Sequence, residues 1–416
     1  MRRNLKSYFL ILTLILTNGR PTFGQAKYYT FDHTDPAPKV ILFSLDGIGF
    51  DQFNSKMMPK LWKIANESGG WGLSIPSNPA MTFPSHISVA TGVYPEKHGV
   101  VSNSFFDRST NETVKSSAFI EYLNAEPLWV ASTRYGIRTA VYHWPCATGS
   151  WRGVAPEIYK VFDKKISDSE NLDRCSEGLS QGIQFIMAYL SGTDSEGHFF
   201  GALSPQVLSK LKSTDDLLSD WILSTRRKYP NLKVIMTSDH GMASPSIKIN
   251  LYRLLKDFEI QAFAFGGSAF IYSKDDQLPI IVDLLNKIPG LRAWKRSEIP
   301  EKFHLRNNPR TGDVFVIADL PNWLSDSKNE VDAISEIIGR KGAHSYITST
   351  DISPSEAHKN VDLVASTSMA SFFVFIGKPV GNLGTFQSVD IAPTIAEWLS
   401  LKWESARDGV PISRLR

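Results

Sequence analysis

The hydrophobic positions of the chain fall into short continuous runs that are separated by longer amphipathic stretches. The apolar runs at 40–45, 139–142, 184–190, 232–237 and 372–376 are typical of buried strands. The segments 59–65, 205–229 and 389–401 carry apolar residues at helical spacing, and 205–229 begins with proline. Strands that alternate with helices predict an α/β fold, with a mostly parallel central sheet flanked by helices.

One segment, about 261–319, has a different pattern. Its apolar stretches at 262–265, 269–272 and 313–317 lie around a single helical stretch at 279–287. This pattern predicts a small α+β insertion beside the main sheet.

Polar side chains follow three of the apolar runs. Asp46 comes directly after the first run, Asp239 and His240 follow the run at 232–237, and Asp194 and His198 follow the run at 184–190. The carboxyl ends of parallel strands meet at one edge of a sheet, where α/β proteins bind ligands. An isolated Asp-His pair is usually structural, but the agreement between separate segments favours one shared site at this edge.

These residue types suit a site for two metal ions. Carboxylates and imidazoles without a thiolate are suitable ligands for Zn²⁺. Two ions roughly 4 Å apart can hold both the attacking and the leaving oxygen of a phosphoryl displacement. The predicted ligands are Asp46, Thr82, Asp194, His198, Asp239, His240 and His344.

Thr82 differs from the other members of the set because it is a plausible nucleophile. It precedes a helix predicted at 87–91, and the N–H groups of a helix N-terminus favour an anion. A bound metal would also lower the pKa of its hydroxyl. The alternative is that Thr82 is an N-cap before a proline, and both interpretations can hold at once. For His86 and His98 we expect structural or site-wall roles.

The composition describes a globular protein with a large core. Of 416 residues, 42 % are hydrophobic and 21 % are charged. The net charge is +3 and no Lys/Arg run is present, which gives no support for a nucleic-acid-binding surface.

The first residues have the pattern of a secretory signal peptide. A positive start is followed by an apolar stretch at 8–16 and by small residues at 22–24, which predicts a signal at 1–24 and a secreted or periplasmic protein with no membrane span once it is removed. An uncleaved membrane anchor is the alternative. In an exported protein Cys146 and Cys175 would be able to form a disulfide, and two free buried thiols are the other possibility.

Several motifs resemble those of one known family. They occur in order from Ile41 to about Leu401, and they include Leu45-Asp46-Gly47, Thr82-Phe83-Pro84-Ser85-His86, the stretch TGVYPEKHG at 91–99, Glu126-Pro127-Leu128-Trp129, Trp144-Pro145 and Ser238-Asp239-His240-Gly241-Met242. In these motifs the sequence resembles nucleotide pyrophosphatase/phosphodiesterases of the alkaline phosphatase superfamily. The resemblance implies an alkaline-phosphatase-like fold and a catalytic domain that covers 25–416.

The resemblance also implies roles for individual residues. One Zn²⁺ would be held by Asp46, Thr82, Asp239 and His240, and a second by Asp194, His198 and His344. Asn103 would donate a hydrogen bond to the phosphoryl oxygen. A nucleobase would lie between Phe83 and Phe162, with Trp144 and Tyr189 on nearby walls. For each aromatic residue taken singly, ordinary core packing is the alternative.

The implied activity is hydrolysis of phosphodiester or pyrophosphate bonds in small nucleotides through a phospho-threonine intermediate, without an obligate protein partner. The alternatives are a phosphomonoesterase or another phosphate- or sulfate-ester hydrolase, and, in a different class, a non-catalytic exported binding protein. Thr82 disfavours a formylglycine sulfatase, because that class needs a modifiable Cys or Ser there.

Three departures from the family pattern concern the rim of the pocket. They are Met81 where the family commonly has Lys, Ser191-Gly192-Thr193 before the metal-binding Asp194, and Ser345-Tyr346-Ile347 after His344. His358 competes with His344 as the last ligand.

Overall fold

The computed structural model describes residues 39–116, 119–329, 339–347, 369–403 and 407–415. The predicted signal peptide and His358 lie outside these residues, and both stay predictions.

The described residues contain these strands: β1 (Val40–Leu45), β2 (Gly69–Ile75), β3 (Ser104–Asp107), β4 (Glu112–Lys115), β5 (Thr139–Tyr142), β6 (Ile158–Lys160), β7 (Phe185–Leu190), β8 (Lys233–Thr237), β9 (Ile247–Asn250), β10 (Ile260–Ala264), β11 (Ser268–Ser273), β12 (Leu291–Lys295), β13 (Val314–Ala318), β14 (Asn322–Ser325), β15 (Ser371–Ile376) and β16 (Gly381–Gln387).

The helices are α1 (Pro59–Ser68), α2 (Thr82–Thr91), α3 (Pro95–His98), α4 (Phe119–Tyr122), α5 (Leu128–Arg134), α6 (Asp168–Ser180), α7 (Gly192–Phe200), α8 (Pro205–Lys228), α9 (Leu251–Leu254), α10 (Leu278–Asn286) and α11 (Ile391–Trp398). Short 3-10 turns occur at Arg296–Glu298, Glu301–Phe303, Ser388–Asp390 and Ser413–Leu415. No helix in the described ranges is long and apolar enough to cross a membrane.

The main sheet has eight strands in the order β16-β2-β15-β8-β1-β7-β5-β6. Its strands are parallel except β15, which runs antiparallel to both β2 and β8. Leu45 of β1 pairs with Leu190 of β7, and Ser44 pairs with Thr237 of β8, so these three strands end at the same level. The predicted α/β class with a mostly parallel sheet is confirmed.

Both faces of this sheet are buried, as parallel sheets require. Successive residues of β1 point to opposite faces: Val40 and Leu42 lie in one hydrophobic core, and Ile41 and Phe43 lie in the other. On the second face, Phe43 packs edge to face on Trp221 of α8, with ring centroids 5.4 Å apart. The helices α2 and α11 contribute to the core of the first face.

The helix α1 is tied to α8 by a buried carboxylate. Asp215 Oδ1 accepts the N–H of Leu61 (2.7 Å), and its Oδ2 accepts the N–H of Lys60 (3.0 Å). Met58, the N-cap of α1, provides no side-chain cap. Asp215 therefore satisfies free N–H groups at the start of α1 from a distant part of the chain.

The segment predicted as an insertion forms its own antiparallel sheet, in the order β10-β11-β13-β12, packed against α10. Sequence analysis missed β12. It is an edge strand with alternating exposure, because Arg292 faces solvent between Leu291 and Ala293, so it lacks a continuous apolar run.

Two helix boundaries differ from prediction. The helix expected at 87–91 begins at Thr82, and the one expected at 389–401 consists of a 3-10 turn followed by α11. Cys146 and Cys175 are both free and buried, which agrees with the free-thiol alternative.

Candidate active site

The level ends of β1, β7 and β8 bring two groups of potential metal ligands together. Within each group, one ligand atom per residue lies within 4.8 Å of the others. The first group is Asp46, Asp239 and His240, and the second is Asp194, His198 and His344.

The first group lies directly beyond β1 and β8. His240 Nε2 is 3.1 Å from Asp239 Oδ2 and 3.6 Å from Asp46 Oδ1. The same nitrogen lies 3.3 Å from Thr82 Oγ1, so the threonine hydroxyl joins this group. Asp239 Oδ1 accepts the N–H groups of Gly47 (3.3 Å) and His240 (3.0 Å), which leaves Oδ2 facing the imidazole.

The second group is built on a helix. Asp194 and His198 lie one turn apart on α7, with Asp194 Oδ1 3.4 Å from His198 Nε2. Gly197 lies inside α7, where an added Cβ would come 3.0 Å from Met242 Cε, so a larger residue would require the Met242 side chain to shift.

His344 comes from a distant segment that is anchored on both sides. Ala343 pairs with Ala243 in an isolated antiparallel bridge, and the N–H of Ser345 donates to the Ala80 carbonyl at 3.0 Å. The His344 ring stacks on that of His240, with centroids 3.9 Å apart. This contact makes the two ligand groups neighbours.

The three histidines share one orientation. Their Nδ1 atoms lie within hydrogen-bonding distance of backbone carbonyls: His198 with Gly342 (3.0 Å), His240 with Gly241 (2.9 Å) and His344 with Ala80 (3.2 Å). A carbonyl can only accept, so each Nδ1 carries the proton. Each Nε2 then presents its lone pair, as a metal-binding histidine requires.

Three carboxylate oxygens of the two groups lack a hydrogen-bond partner in the described part of the chain. They are Asp46 Oδ1, Asp194 Oδ1 and Asp239 Oδ2, and all three are buried. Burial raises the pKa of Asp46, and the nearby Asp239 and Asp194 raise it further. Burial also lowers the pKa of His240 to about 4, so this imidazole is neutral at pH 7 and supplies no positive charge. Unpaired buried carboxylate oxygens facing neutral imidazoles are costly, and divalent cations at the two groups would compensate them.

Thr82 is the first residue of α2, and Met81 is the N-cap. The interpretation of Thr82 as the N-cap is therefore wrong, because the backbone becomes helical one residue earlier. The N–H of Phe83 donates to Asn103 Oδ1 at 3.0 Å. This bond fixes the Asn103 amide so that its Nδ2 stays available as a donor, and the Thr82 N–H is one of the helix-start donors without a partner inside α2.

His86 has a role beyond that of an ordinary core residue. Its Nδ1 lies 2.6 Å from the Thr82 carbonyl and 3.5 Å from Asp239 Oδ2, and its Nε2 lies 2.8 Å from Ser44 Oγ. One helical turn after Thr82, it connects the Thr82 backbone to a predicted metal ligand. Burial lowers its pKa. The buried His98, by contrast, contacts Ser88 Oγ (3.1 Å) within the core.

The four aromatic residues predicted near the substrate do not share one environment. Tyr189 is 8 % exposed and donates its hydroxyl to Asp46 Oδ2, and Trp144 is 2 % exposed, with its ring 5.1 Å from that of His86. Tyr189 thus contacts a potential metal ligand and Trp144 contacts His86, and their role as walls of a substrate pocket stays a prediction. Phe162 is 49 % exposed and packs edge-on against Tyr189, and the half-buried Phe83 packs on Phe119. Their function as a base slot stays a prediction.

A cavity of 230 Å³ opens beside these groups. Thr82, Asn103, His198 and His344 line it, and so do residues that sequence analysis did not single out: Ala264, Phe265, Gly266, Trp323, Arg340 and Ala343. No short motif marks them, because they come from three separate places: the insertion, strand β14 and the segment before His344.

Comparison with known proteins identifies the family to which the chain belongs. The profile described as type I phosphodiesterase / nucleotide pyrophosphatase matches residues 40–347. An uncharacterized pyrophosphatase/phosphodiesterase of Schizosaccharomyces pombe is 31 % identical over 305 residues, which cover 68 % of this chain and 63 % of that protein. Human ectonucleotide pyrophosphatase/phosphodiesterase family member 1 is 28 % identical over 311 residues, 69 % of this chain and 33 % of its own length. The chain thus matches only part of the length of these relatives.

Among solved structures, murine ectonucleotide pyrophosphatase/phosphodiesterase 5 superposes with a TM-score of 0.77 at 24 % identity, covering 89 % of this chain and 97 % of that one. This likeness confirms the alkaline-phosphatase-like fold. Because the family profile matches most of the chain, the protein belongs to the type I phosphodiesterase / nucleotide pyrophosphatase family.

Proposed function

We propose that the protein is a zinc-dependent hydrolase of phosphodiester and pyrophosphate bonds in nucleotides, acting through a phospho-threonine intermediate. The observation that carries the proposal is the Thr82 hydroxyl, 3.3 Å from His240 Nε2, at a helix start that opens into the same cavity as the second ligand group. The donor set of carboxylates and neutral imidazoles suits two Zn²⁺ ions.

The family comparisons support the substrate class. One relative is named a bis(5'-adenosyl)-triphosphatase, from Xenopus laevis, at 26 % identity over 319 residues. One structural neighbour is an inactive threonine-to-alanine variant of the murine protein in complex with AMP, with a TM-score of 0.76. Both descriptions agree with a nucleotide substrate.

The reaction proceeds through two successive displacements at the phosphorus. Thr82 Oγ1 attacks the phosphorus, the bond to the leaving oxygen breaks, and the nucleotidyl group is transferred to Thr82. Water then attacks the same phosphorus, releases a nucleoside 5′-monophosphate and restores the hydroxyl. When bound, the two cations would lower the pKa of the threonine hydroxyl and neutralise charge on the attacking and leaving oxygens.

Asn103 and the helix start stabilise the charge that develops on the phosphoryl group. The amide nitrogen of Asn103 and the N–H of Thr82 would donate to a non-bridging oxygen in both steps, and Phe83 keeps the Asn103 amide oriented. The hydrogen bonds from His86 to the Thr82 carbonyl and from Tyr189 to Asp46 hold the nucleophile and a ligand in place.

The function is tested by comparing the p-nitrophenyl ester of thymidine 5′-monophosphate with p-nitrophenyl phosphate and p-nitrophenyl sulfate on zinc-loaded protein. We expect kcat/KM to favour the diester by about tenfold or more, which corresponds to about 1.4 kcal/mol of transition-state binding. A preference for the phosphate monoester or the sulfate would overturn the substrate class and leave the metal site intact. Removal of zinc with a chelator should abolish turnover, and added zinc should restore it.

Replacing Asn103 with alanine is expected to lower kcat by on the order of 10²–10³-fold, because one donor to the transition state is lost. Zinc content should stay the same, since Asn103 bonds to the Phe83 N–H and lies in neither ligand group. Ser104→Ala is the matched control, because this hydroxyl donates only to the Asn103 carbonyl (2.8 Å). Equal rates for the Asn103 variant and the wild type would remove Asn103 from the mechanism.

A further inference from the structure

The candidate active site continues into a second, larger cavity. This cavity has a volume of 630 Å³ and shares His198 and Arg340 with the 230 Å³ cavity around Thr82. Its other lining residues are Asp194, Ser195, Phe199, Ser327 and Gly339. The two displacements proposed at the phosphorus require none of the space in this larger cavity.

The position of the second cavity suits a leaving group. Thr82 lies with the first ligand group and lines the smaller cavity, whereas Asp194 lines the larger cavity and His198 lines both. In an in-line displacement the attacking and leaving oxygens lie on opposite sides of the phosphorus. Attack from Thr82 therefore directs the leaving oxygen toward the second group and the space beyond it.

Arg340 is the one Lys or Arg among the described residues that line the two cavities. It is solvent-exposed. The N–H groups of the next two residues, Lys341 and Gly342, both donate to the His198 carbonyl, at 2.8 and 3.1 Å. These bonds hold the backbone just after Arg340 against a predicted metal ligand, and Arg340 lines both cavities.

The chemistry of this cavity suits a phosphate. Guanidinium is charged at all accessible pH values, and its planar fork matches two phosphate oxygens. Ser195 adds an exposed hydroxyl. Phe199, 62 % exposed, forms an apolar wall. The volume falls within the range of about 300–1,000 Å³ for ligand pockets and exceeds the needs of one phosphate.

We propose that this cavity is a leaving-group subsite in which Arg340 binds a phosphate of the departing group, so that pyrophosphate-type bonds are favoured over esters of neutral alcohols. This inference rests on the proposed function and specifies its substrate class. Arg340 contacts the leaving group and takes no part in the bond changes at the phosphorus.

Two substrates with the same nucleotidyl half test the proposal. Thymidine 5′-triphosphate and the p-nitrophenyl ester of thymidine 5′-monophosphate both place thymidylate on Thr82, but they release pyrophosphate and nitrophenolate respectively. We expect Arg340→Ala to lower kcat/KM for the triphosphate by about 10- to 100-fold more than for the ester, because a charge-assisted hydrogen bond is lost. Arg340→Lys should recover part of the difference, since it keeps the charge without the fork. Arg227→Ala, at an exposed position on α8, is the control and should leave the ratio unchanged.

A binding measurement separates this proposal from the proposed function. In zinc-loaded Thr82→Ala protein, calorimetric binding of thymidine 5′-triphosphate should weaken about 10- to 100-fold when Arg340→Ala is added, whereas binding of thymidine 5′-monophosphate should weaken less. Equal losses for both ligands, or none, would overturn the subsite. Wild-type protein that hydrolyses neither substrate would overturn the proposed function, and the binding comparison would still decide the role of Arg340.

Discussion

Thr82→Ala is expected to abolish turnover, with a loss in kcat on the order of 10⁴- to 10⁶-fold, as for the removal of other catalytic nucleophiles. Alanine removes the hydroxyl of this side chain, which lies 3.3 Å from His240 Nε2 of the first ligand group. Alanine is compatible with the first turn of α2, so the fold should not change. Initial rates on the thymidylate ester, zinc content and thermal unfolding would be measured on the same preparation.

Thr82→Ser is the matched control for this prediction. Serine retains a hydroxyl at the same helix position, so it should keep a substantial part of the activity that alanine loses. The zinc content of Thr82→Ala should stay close to that of the wild type, because Asp46, Asp239 and His240 remain. Wild-type activity in Thr82→Ala would eliminate the covalent mechanism, and loss of folding would show that the residue is structural.

Asp239→Ala is expected to empty the first metal position and to lower activity by about 10³-fold or more, which corresponds to the several kcal/mol that a metal contributes to the transition state. Asp239 Oδ2 is buried, lacks a hydrogen-bond partner among the described residues, and lies 3.1 Å from His240 Nε2. Without it, only Asp46, His240 and the weakly binding Thr82 hydroxyl remain. Zinc stoichiometry by elemental analysis should fall by about one ion per chain relative to wild type.

Loss of a buried aspartate also affects stability, so the control must be another buried aspartate. Asp215 serves this purpose because it is buried, accepts the N–H groups of Lys60 and Leu61, and belongs to neither ligand group. Asp215→Ala should lower the free energy of unfolding by about 1–2 kcal/mol through the loss of a helix cap, with zinc stoichiometry unchanged. Unchanged zinc in Asp239→Ala, or equal zinc loss in both variants, would contradict the assignment of Asp239 as a ligand.

The ligands that follow strands were accessible to sequence reasoning. The apolar runs before Asp46 and Asp239 mark strands buried on both faces, and parallel strands place the residues that follow them at one edge. The same reasoning found Asp194 and His198 but did not predict the helix that carries them. They converge because α7 places residues four apart on one face, which periodicity could not show in a segment of only nine residues.

The contacts that support the candidate site were harder to predict from the sequence. The sequence did not show that the Tyr189 hydroxyl donates to Asp46, or that His86 bonds to the Thr82 carbonyl. In the sequence, an aromatic or histidine residue in an apolar stretch looks the same whether its polar atom contacts a potential metal ligand or an ordinary core residue. The choice depends on which distant residue lies opposite.

The sequence by itself determined the fold class, the insertion and the residues that follow the strands, because hydrophobic periodicity and strand-end positions are local properties of the chain. Only the tertiary structure decided how His344 joins the site and which residues shape the cavities. His344 is placed by the bridge between Ala343 and Ala243 and by the bond from Ser345 to Ala80, and Arg340 is placed by its neighbours' bonds to His198. These contacts join segments far apart in sequence, and their partners are set by the packing of the whole molecule.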